Sequence, residues 1–577
     1  MSTHFSSHLT EQRLLAAEVL ALVVGRLFPH VILVGGGIHS LGFYYDFIFE
    51  QPLTKSMLEF IEIHMHPFIK EGHVVHSISM MRENAQVLLE HHKHFFLAQR
   101  AGEQKTNIVE LIQIEEFYDL CPALSLTTTH EIGSIKLLEV QELKQEEQKE
   151  ALQLTRILGA SQTSAKDLKI FLKMYDSFLK KKDHRVLGPQ LKLFNFFESA
   201  GALGVTWYPK GVQVQGVLLD WLKRQQPEGE NLLSTPSIVR QDVLESENLS
   251  LEPFSFEGEE YRLRSSVLHQ HLEFLSHFPL QEEELPWRMT EWAPIFRQYP
   301  EPQRWGLFCH CAYQGEQTTI CCLREQVVSE LISSLHFIEQ IITIFGFKAR
   351  WSLIASRQKS SKARQEQQAI DWLKQAIQTQ DRVYPYSSEI QEEQGEPPRL
   401  ELRIWDVLGR EWPISRLNVI LSTQALELLP PVQQGEEKRR VILTRQIWES
   451  LDRFVALLIE HYEGKFPSWL APEQIRVIAI GEANRAYAQQ VSECLQHKGI
   501  RVKLDLRQTK LSMRVHEAEK ERVPYLILVG EKERKLQKIS VRVAKGFNRS
   551  QSMEIETFLN QINHEFLCPM PLRKRTE

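Results

Sequence analysis

The chain has 577 residues, of which 42% are hydrophobic and 25% are charged, and its formal net charge at pH 7 is −6. A single hydrophobic core seldom grows beyond about 250–300 residues, so this length predicts several domains. No run approaches the roughly 20 apolar residues that cross a bilayer, and the first residues lack the pattern of a secretory signal. We therefore predict a soluble, cytoplasmic protein with no membrane partner. Its seven cysteines, an odd count, argue against an extracellular disulfide framework.

The first third of the chain alternates apolar patterns of the helix and strand types. The predicted elements are a helix over 10–29, strands over 31–37 and 41–49, and helices over 54–70, 81–97 and 135–159. The last of these is inferred from glutamates and lysines spaced to pair between successive helical turns. A further helix, with an apolar face and a basic end, is predicted to end near Gly188 and to connect this region to the next.

The rest of the chain divides at the segment FPSWLAP, residues 466–472, whose two prolines interrupt the pattern. Residues 189–465 mix strands and helices and are interpreted as one large domain. Residues 466–577 alternate strand and helix, as a small α/β domain does. Near the end of the large domain, the stretch VILTRQIWESLDRF predicts a short strand followed by an amphipathic helix that includes Glu449.

Two groups of residues have both a metal-binding and a structural interpretation. Cys309 and Cys322 could meet across a hairpin with the turn QGEQ, but this spacing matches no standard zinc module, so buried, unreactive thiols are favoured. His91, His92 and His94 are close in sequence, and for them a solvated helix face is favoured over a metal site.

Several motifs, in chain order, resemble those of bacterial threonyl-tRNA synthetase, a class II aminoacyl-tRNA synthetase. They are GFYYDF, KDHRVLG, WYPKG, LPWRMTEWAPIFRQYP, FGFKARWSLIASR, FPSWLAP, GIRVKLDLR and RVPYLILVGEKE. The C-terminal motifs are the most specific, and the resemblance extends from about residue 10 to the C-terminus. The small ubiquitin-like domain that usually precedes this region in the family is therefore expected to be missing.

The resemblance implies a multidomain protein of the α/β and α+β classes. It assigns residues 1–160 to an α+β region like the family's editing domain, 161–188 to a connecting helix, 189–465 to an antiparallel-sheet core like the class II catalytic domain, and 466–577 to an α/β anticodon-binding domain. Residues 207–224 match the strand and helix that pair subunits in class II synthetases, so a homodimer is expected. The apolar stripe of this helix suits burial against the partner or against the sheet.

An active threonyl enzyme of this family holds zinc with one Cys and two His, and the ion recognises the amino and hydroxyl groups of threonine. The resemblance places Leu268, Thr319 and Thr444 at these three positions. None of the three can replace a thiolate or an imidazole as a strong zinc ligand. We therefore predict that the chain binds no zinc.

The resemblance also locates the ATP site, where two arginines are kept and their surroundings are changed. Arg297 matches the arginine that holds the α-phosphate, and Arg453 the one at the far end of the nucleotide; structural ion pairs are the alternative for both. Tyr299 replaces a glutamate that accepts from adenine, and Cys311 replaces a basic residue. Glu449 replaces a glycine that lets the backbone approach ATP. Its charge opposes a polyphosphate by on the order of 1 kcal/mol or more, so weak ATP binding is expected.

The editing site of the family is altered as well. At the positions of the family's paired histidines this chain has Leu14 and Glu18. Cys121 is kept, but Ser125 replaces the histidine that accompanies it in the family. A hydrolytic site needs a base or a group that positions water. Deacylation is therefore not expected.

The C-terminal domain keeps cations that are expected to contact tRNA phosphates. They are Lys503, Arg507, Arg514, Lys532, Arg542 and Lys545. Glu533 and Arg542 match family positions near the anticodon bases, and single-stranded loops are read by such hydrogen bonds. A merely solvated basic surface is the alternative.

These positions favour a non-catalytic relative of threonyl-tRNA synthetase that binds tRNA with a threonine anticodon and uses neither zinc nor ATP. A working threonine–tRNA ligase with an unusual site is the first alternative. A ligase that activates another small acid is the second.

Overall fold

The computed structural model describes residues 7–39, 41–104, 106–147, 150–197, 204–241, 251, 253–278, 280–299, 305–355, 363–379, 383–392, 397–421, 440–543, 550–566 and 568–569. The chain forms two compact units, Met1–Asp176 with Pro300–Gln303 and Ser177–Tyr299 with Arg304–Glu577. Within the described ranges, no helix combines the length and the apolar character needed to span a membrane.

The first unit is an α+β structure with two antiparallel sheets. Its elements are α1 (Ser7–Leu27), β1 (Ile32–His39), β2 (Gly42–Ile48), α2 (Lys55–Glu71), β3 (Val75–Met81), α3 (Arg82–His91), α4 (Phe95–Glu103), β4 (Ile108–Ile114), β5 (Phe117–Leu120), β6 (Ser134–Glu147) and β7 (Glu150–Gln162). The strand orders are β1-β2-β7-β6 and β3-β4-β5. The buried core includes Leu20 of α1 and Phe43 and Phe47 of β2.

The helix predicted over 135–159 is wrong, because these residues form the antiparallel hairpin of β6 and β7. β7 pairs with β2 on its other side, and residues 154–160 are all buried, which is the pattern of a central strand. The charge spacing that suggested a helix contributes only about 0.2–0.5 kcal/mol per pair. Strand pairing and burial outweigh such a contribution.

The helix predicted over 81–97 is also wrong, because it is interrupted between α3 and α4, where Lys93 has a φ of 64°. His94 lies in this turn and its Nδ1 donates to the Tyr118 carbonyl at 3.0 Å, while the His92 ring packs 4.8 Å from the Tyr118 ring. Partial burial lowers the pKa of His94. The three histidines therefore do not share one solvated helix face.

The connecting segment also consists of two helices where one was predicted. They are α5 (Ala165–Lys181) and α6 (His184–Gln190). Asp183 separates them, since its side chain accepts from the Arg185 amide at 2.8 Å and caps α6.

The central part of the second unit carries the large sheet. Its elements are β8 (Phe194–Asn195), β9 (Thr206–Trp207), α7 (Pro209–Gln225), β10 (Glu230–Leu232), β11 (Ile238–Arg240), β12 (Phe254–Phe256), β13 (Glu259–Leu263), α8 (Leu268–His277), β14 (Trp287–Phe296), β15 (Ala312–Leu323), α9 (Val327–Thr343), β16 (Ala349–Ala355), α10 (Ala363–Gln378), β17 (Tyr386–Glu392), β18 (Arg399–Trp405), β19 (Glu411–Ile420), β20 (Arg440–Gln446) and α11 (Leu451–His461).

Eight of these strands form one sheet in the order β10-β14-β15-β20-β19-β18-β16-β17. The terminal pairs β10–β14 and β16–β17 are parallel, and the five pairs between them are antiparallel. The expected antiparallel core is confirmed. Two of its inner strands, β15 and β20, are almost completely buried.

Two local expectations within this core are wrong. Glu449 does not lie in a helix, because α11 begins at Leu451 and the Ser450 side chain accepts from the Arg453 amide as its N-cap. The segment QGEQ is no turn, because it lies inside the continuous strand β15. Cys309 and Cys322 therefore do not face each other across a hairpin.

The apolar stripe of α7 is buried within this chain. The indole of Trp221 packs against Phe345 at 5.7 Å, Trp448 at 6.4 Å and Trp469 at 5.7 Å between ring centroids. Of the two partners considered for this stripe, the structure supports packing within the chain. Val212, on the opposite side of α7, is 54% exposed.

The C-terminal part of the second unit is the expected small α/β fold. Its elements are β21 (Ile475–Ala479), α12 (Arg485–His497), β22 (Val502–Asp505), α13 (Leu511–Lys520), β23 (Tyr525–Val529), α14 (Glu531–Leu536), β24 (Ile539–Val543), β25 (Gln551–Met553) and α15 (Ile555–Phe566). The sheet order is β22-β21-β23-β24-β25, with β21 and β23 buried along their whole length.

Candidate functional site

A loop between β20 and α11 brings the side chains of the candidate site together on the large sheet. The Glu316 carboxylate of β15 accepts from the Ile447 amide at 2.7 Å, and the Ser415 hydroxyl donates to the Ile447 carbonyl at 2.7 Å. The Glu449 amide donates to the Ile414 carbonyl at 2.9 Å. These bonds fix the loop against β15 and β19, so the Glu449 side chain is directed into the sheet face.

Three arginines surround the Glu449 carboxylate; Arg416 and Arg453 are buried and Arg297 is half-buried. Arg297 Nη1 donates to Oε1 at 2.9 Å, and Arg453 Nη1 donates to Oε2 at 3.0 Å. Arg416 Nη1 of β19 lies 3.4 Å from Oε1. Glu449 is 2% exposed. One carboxylate thus bridges the two arginines that the resemblance assigns to ATP.

The charges explain why this carboxylate is ionised although it is buried. Burial alone would raise the pKa of Glu449, but the charges of Arg416, Arg453 and Arg297 hold that pKa below its usual value. Burial would in turn lower the pKa of Arg453, and the Glu449 carboxylate raises it instead. The group is therefore a charged, hydrogen-bonded network, which is the form in which charges tolerate burial.

A second buried carboxylate extends the network across the sheet. Glu401 of β18 accepts from Arg399 Nε at 2.8 Å and from Arg403 Nη2 at 2.6 Å, and Arg416 Nε lies 3.3 Å from it. Burial opposes the ionisation of Glu401, but Arg416, Arg403 and Arg399 together lower its pKa strongly. Arg416 therefore links Glu401 to Glu449.

Bulky and apolar groups fill the space next to this network. Tyr299 is 2% exposed and Cys311 is 1% exposed, and burial raises the pKa of the Tyr299 hydroxyl. A cavity lined by Ser265, Arg297 and Glu449, among others, leaves about 10 Å³ for the centre of a water-sized sphere. One water molecule needs about that much room. The space beside Glu449 therefore holds about one water molecule.

The three zinc-ligand positions come together, but without zinc-ligand chemistry. Thr319 of β15 and Thr444 of β20 are register partners, and Leu268 begins α8. The Thr444 hydroxyl accepts from Asn418 Nδ2 at 2.6 Å. Hydroxyl and alkyl side chains are not the thiolate and imidazole donors that zinc selects. These residues do not fit the ion.

One further histidine, which the sequence patterns did not indicate, lies beside these positions. His271, three residues after Leu268 on α8, is fully buried; its Nδ1 lies 2.8 Å from the Thr319 hydroxyl, and its Nε2 lies 3.2 Å from Glu291 Oε2. Burial would raise the pKa of Glu291, but His271, Thr235 and Arg264 lower it. Both nitrogens of His271 have partners. The spacing of three residues on one helix was the available signal.

Among the described residues, the one group of three ligand-type side chains within 4.8 Å of one another is Asp183, His184 and Glu460. His184 Nε2 accepts from the Leu307 amide at 3.1 Å, so its Nδ1 carries the proton that points to Glu460 at 2.6 Å. Asp183 is bound by Arg185. A neutral histidine with both nitrogens engaged is a structural link and not a free metal ligand.

Two of the editing-like positions of the first unit, Glu18 and Cys121, form a buried cluster with Asp119. Glu18 is 2% exposed, and burial followed by the Asp119 charge raises its pKa. Burial and the Glu18 and Asp119 charges raise the pKa of the Cys121 thiol far above its usual range. The exposed Ser125 hydroxyl donates to Glu11 at 2.5 Å. Neither a thiolate nor a neutral histidine base is present among these side chains.

The predicted tRNA-contacting residues differ in how available they are. Lys503 and Lys532 are exposed. Arg507 is ion-paired with Asp505 at 2.7 Å and with Glu517 at 2.5 Å, although half of its side chain is exposed. Arg542 on β24 is partly buried, and its Nε has no hydrogen-bond partner among the described residues.

Two other positions are engaged inside the domain, and one is not described. Arg514 is 4% exposed and donates to the Ala479 carbonyl at 3.0 Å, so in this structure its side chain is turned into the domain and away from the surface where a phosphate contact was expected. Glu533 accepts from the Gly530 amide at 3.0 Å and caps α14. Lys545 lies outside the described residues.

Comparisons with known proteins agree with this architecture. The family described as "tRNA synthetase class II core domain (G, H, P, S and T)" matches residues 253–462, and the family "Anticodon binding domain" matches residues 474–565. The largely antiparallel eight-stranded sheet and these two matches define the fold of the class II aminoacyl-tRNA synthetases.

Individual relatives narrow the assignment. Threonine–tRNA ligase of Oleidesulfovibrio alaskensis is 30% identical over 546 residues, which cover 92% of this chain and 84% of that protein. The ligase of Clostridium tetani is 28% identical over 575 residues, covering 95% and 87%. The chain belongs to the threonine–tRNA ligase family.

A solved structure supports the same fold. The RNA binding domain of threonyl-tRNA synthetase from Cryptosporidium parvum superposes with a TM-score of 0.60 at 22% identity, covering 67% of this chain and 98% of that one. The putative threonyl-tRNA synthetase ThrRS-1 of Aeropyrum pernix superposes with a TM-score of 0.57 at 19% identity, covering 66% and 95%.

Proposed function

We propose that this protein is a cytoplasmic, non-catalytic member of the threonine–tRNA ligase family that binds tRNA and does not activate threonine. The observation that carries the proposal is the position of Glu449 between Arg297 and Arg453. Its carboxylate oxygens take the donors that would otherwise meet phosphate oxygens. ATP would have to displace an ion-paired, buried side chain, and it would meet that side chain's negative charge.

The amino acid side of the reaction is impaired independently. Discrimination of threonine in this family rests on a metal that recognises the substrate hydroxyl. Here Thr319 and Thr444 are hydrogen-bonded hydroxyls, and His271 already has two partners. Restoring the nucleotide site would therefore not restore threonine selection.

The purified protein is expected to contain far less than one zinc per chain, because Leu268, Thr319 and Thr444 provide no strong ligand. Elemental analysis after dialysis measures the content directly. The matched control is the triple variant Leu268→Cys/Thr319→His/Thr444→His, which restores the family ligand set and should retain more zinc. One tightly held zinc per chain in the wild-type protein would contradict the proposal.

The binding partner is proposed to be tRNA with a threonine anticodon. Support comes from the anticodon-binding match over residues 474–565 and from the exposed cations of that domain. A homodimer is proposed on the family resemblance alone, since the apolar stripe of α7 is buried within the chain. The working, divergent ligase remains the second candidate, because relatives at 30% identity are named as ligases and both arginines are kept.

The full chain is expected to bind tRNA with an affinity that falls as salt rises, because lysines replace counterions on the phosphates. Lys503→Ala and Lys532→Ala should weaken all tRNAs alike. Arg542→Ala should also reduce the preference for a threonine anticodon, since Arg542 matches a family position near the anticodon bases. Filter binding at several salt concentrations measures both effects.

The control for these variants is Lys70→Ala, an exposed lysine at the end of α2 in the first unit. It should bind tRNA like the wild-type chain. If no tRNA is preferred and the Arg542 and lysine variants behave alike, the tRNA-reading function is refuted.

A further inference from the structure

The helix α5 has two unlike faces. Its apolar side chains are buried, and they recur at helical spacing: Leu168, Phe171, Tyr175 and Phe178. The opposite face exposes Lys166, Lys169 and Lys173 together with Ile170 and Met174. We call these five residues the α5 lysine stripe. Ile170 is 50% exposed and Met174 is 38% exposed.

Within the described ranges, no carboxylate forms an ion pair with the lysines of the stripe, since none of its three ammonium groups has a carboxylate oxygen within 4.0 Å. The acidic residues of the helix, Asp167 and Asp176, lie at the two edges of the exposed face. Asp167 accepts from the Ser164 hydroxyl at 2.6 Å and is thereby held at the start of the helix.

The spacing of the stripe matches a chain of anions. Successive lysines are three and four residues apart, so their backbones advance by roughly 4.5 and 6 Å along the helix. Lysine side chains are long and flexible, and each can reach a separate phosphate. The two exposed apolar side chains offer contact surface for sugars or bases between those phosphates.

We propose that the α5 lysine stripe is a second RNA-contacting surface, which binds phosphates of the tRNA outside its anticodon loop. The proposal rests on the proposed tRNA-binding function, and charge complementarity identifies the occupant. A basic amphipathic helix face also attracts anionic lipid. RNA is the favoured occupant because this chain carries an anticodon-binding domain as well.

The test compares the variant Lys169→Gln/Lys173→Gln with the matched control Lys70→Gln/Lys93→Gln, which removes two exposed lysines of the first unit. Unmodified tRNA transcript with a threonine anticodon is the probe, and full-length protein is used. Two lost phosphate contacts should weaken binding by about 25- to 60-fold near 0.1 M salt and make the salt slope shallower by about 1.4–1.8. The control should change neither quantity.

An additional variant and an additional ligand distinguish the possible negative results. Lys169→Arg/Lys173→Arg keeps the charge and should bind like the wild-type chain. Unchanged affinity and slope in the glutamine variant, with the wild-type chain still binding tRNA, would refute the stripe and leave the proposed function intact. Absence of any tRNA binding by the wild-type chain would refute both. Loss of binding to phosphatidylserine vesicles without loss of tRNA binding would assign the stripe to a lipid surface and overturn the proposal.

Discussion

Replacing Glu449 by glutamine is expected to lower the free energy of unfolding of the core by about 3–5 kcal/mol, because buried charges lose their shared partner. Arg297, Arg416 and Arg453 all direct guanidinium nitrogens at this carboxylate within 3.4 Å. A neutral amide accepts weakly at one atom and donates at the other. The three positive charges would then repel one another in a site with little water.

Denaturant unfolding followed by tryptophan fluorescence measures this loss, since Trp448 precedes Glu449 and is completely buried. The control Glu493→Gln removes an exposed carboxylate that accepts from Gln489, and it should change stability by less than about 0.5 kcal/mol. A loss of similar size in both variants would contradict the account of the buried network.

The difference in free energy of unfolding between the wild-type protein and Glu449→Gln should also depend on pH. In the folded protein the pKa of Glu449 is lowered from its ordinary value of 4.5. The ionised carboxylate therefore contributes its full stabilisation at pH values above 4.5. It is lost as the pH falls through the lower, folded pKa. The two proteins should therefore approach each other in stability on acidification and separate again at neutral pH.

Sequence patterns identified the architecture where local and long-range preferences agree. The strands 31–37 and 41–49, the core sheet and the C-terminal α/β fold follow from apolar periodicity and from motifs in order. The hairpin of β6 and β7 was missed, because the pairing of β7 with β2 depends on residues about 110 positions away. Charge spacing within a segment carries no information about such a partner.

The sequence predicted which residues form the site, but it did not predict the contacts between them. The resemblance located Arg297, Glu449 and Arg453, but it treated Glu449 as an obstacle on a helix. Only the cap at Ser450 and the loop bonds show that this carboxylate reaches both arginines. Likewise, Arg514 is buried because it contacts β21 through the Ala479 carbonyl. The sequence pattern of its helix gave no indication of this contact.

The proposed protein binds tRNA without activating threonine, so its rate of adenylate formation should be very low. The family resemblance places the ATP α-phosphate on Arg297 and the far end of the nucleotide on Arg453, and both arginines are ion-paired with Glu449. Removing a single group that stabilises transition-state charge typically costs about 100- to 1000-fold in rate. Here the metal ligands are replaced as well. Glu449→Gly should therefore not restore activity, since it supplies no zinc site.

The most direct measurement is threonine-dependent ATP–pyrophosphate exchange with the full-length protein at saturating ATP and magnesium, beside an active threonine–tRNA ligase as the positive control. The account predicts that the wild-type chain and Glu449→Gly both stay at the level of a no-enzyme control. Threonine-dependent exchange by the wild-type chain clearly above that control would contradict it, and would identify the protein as a divergent, working ligase.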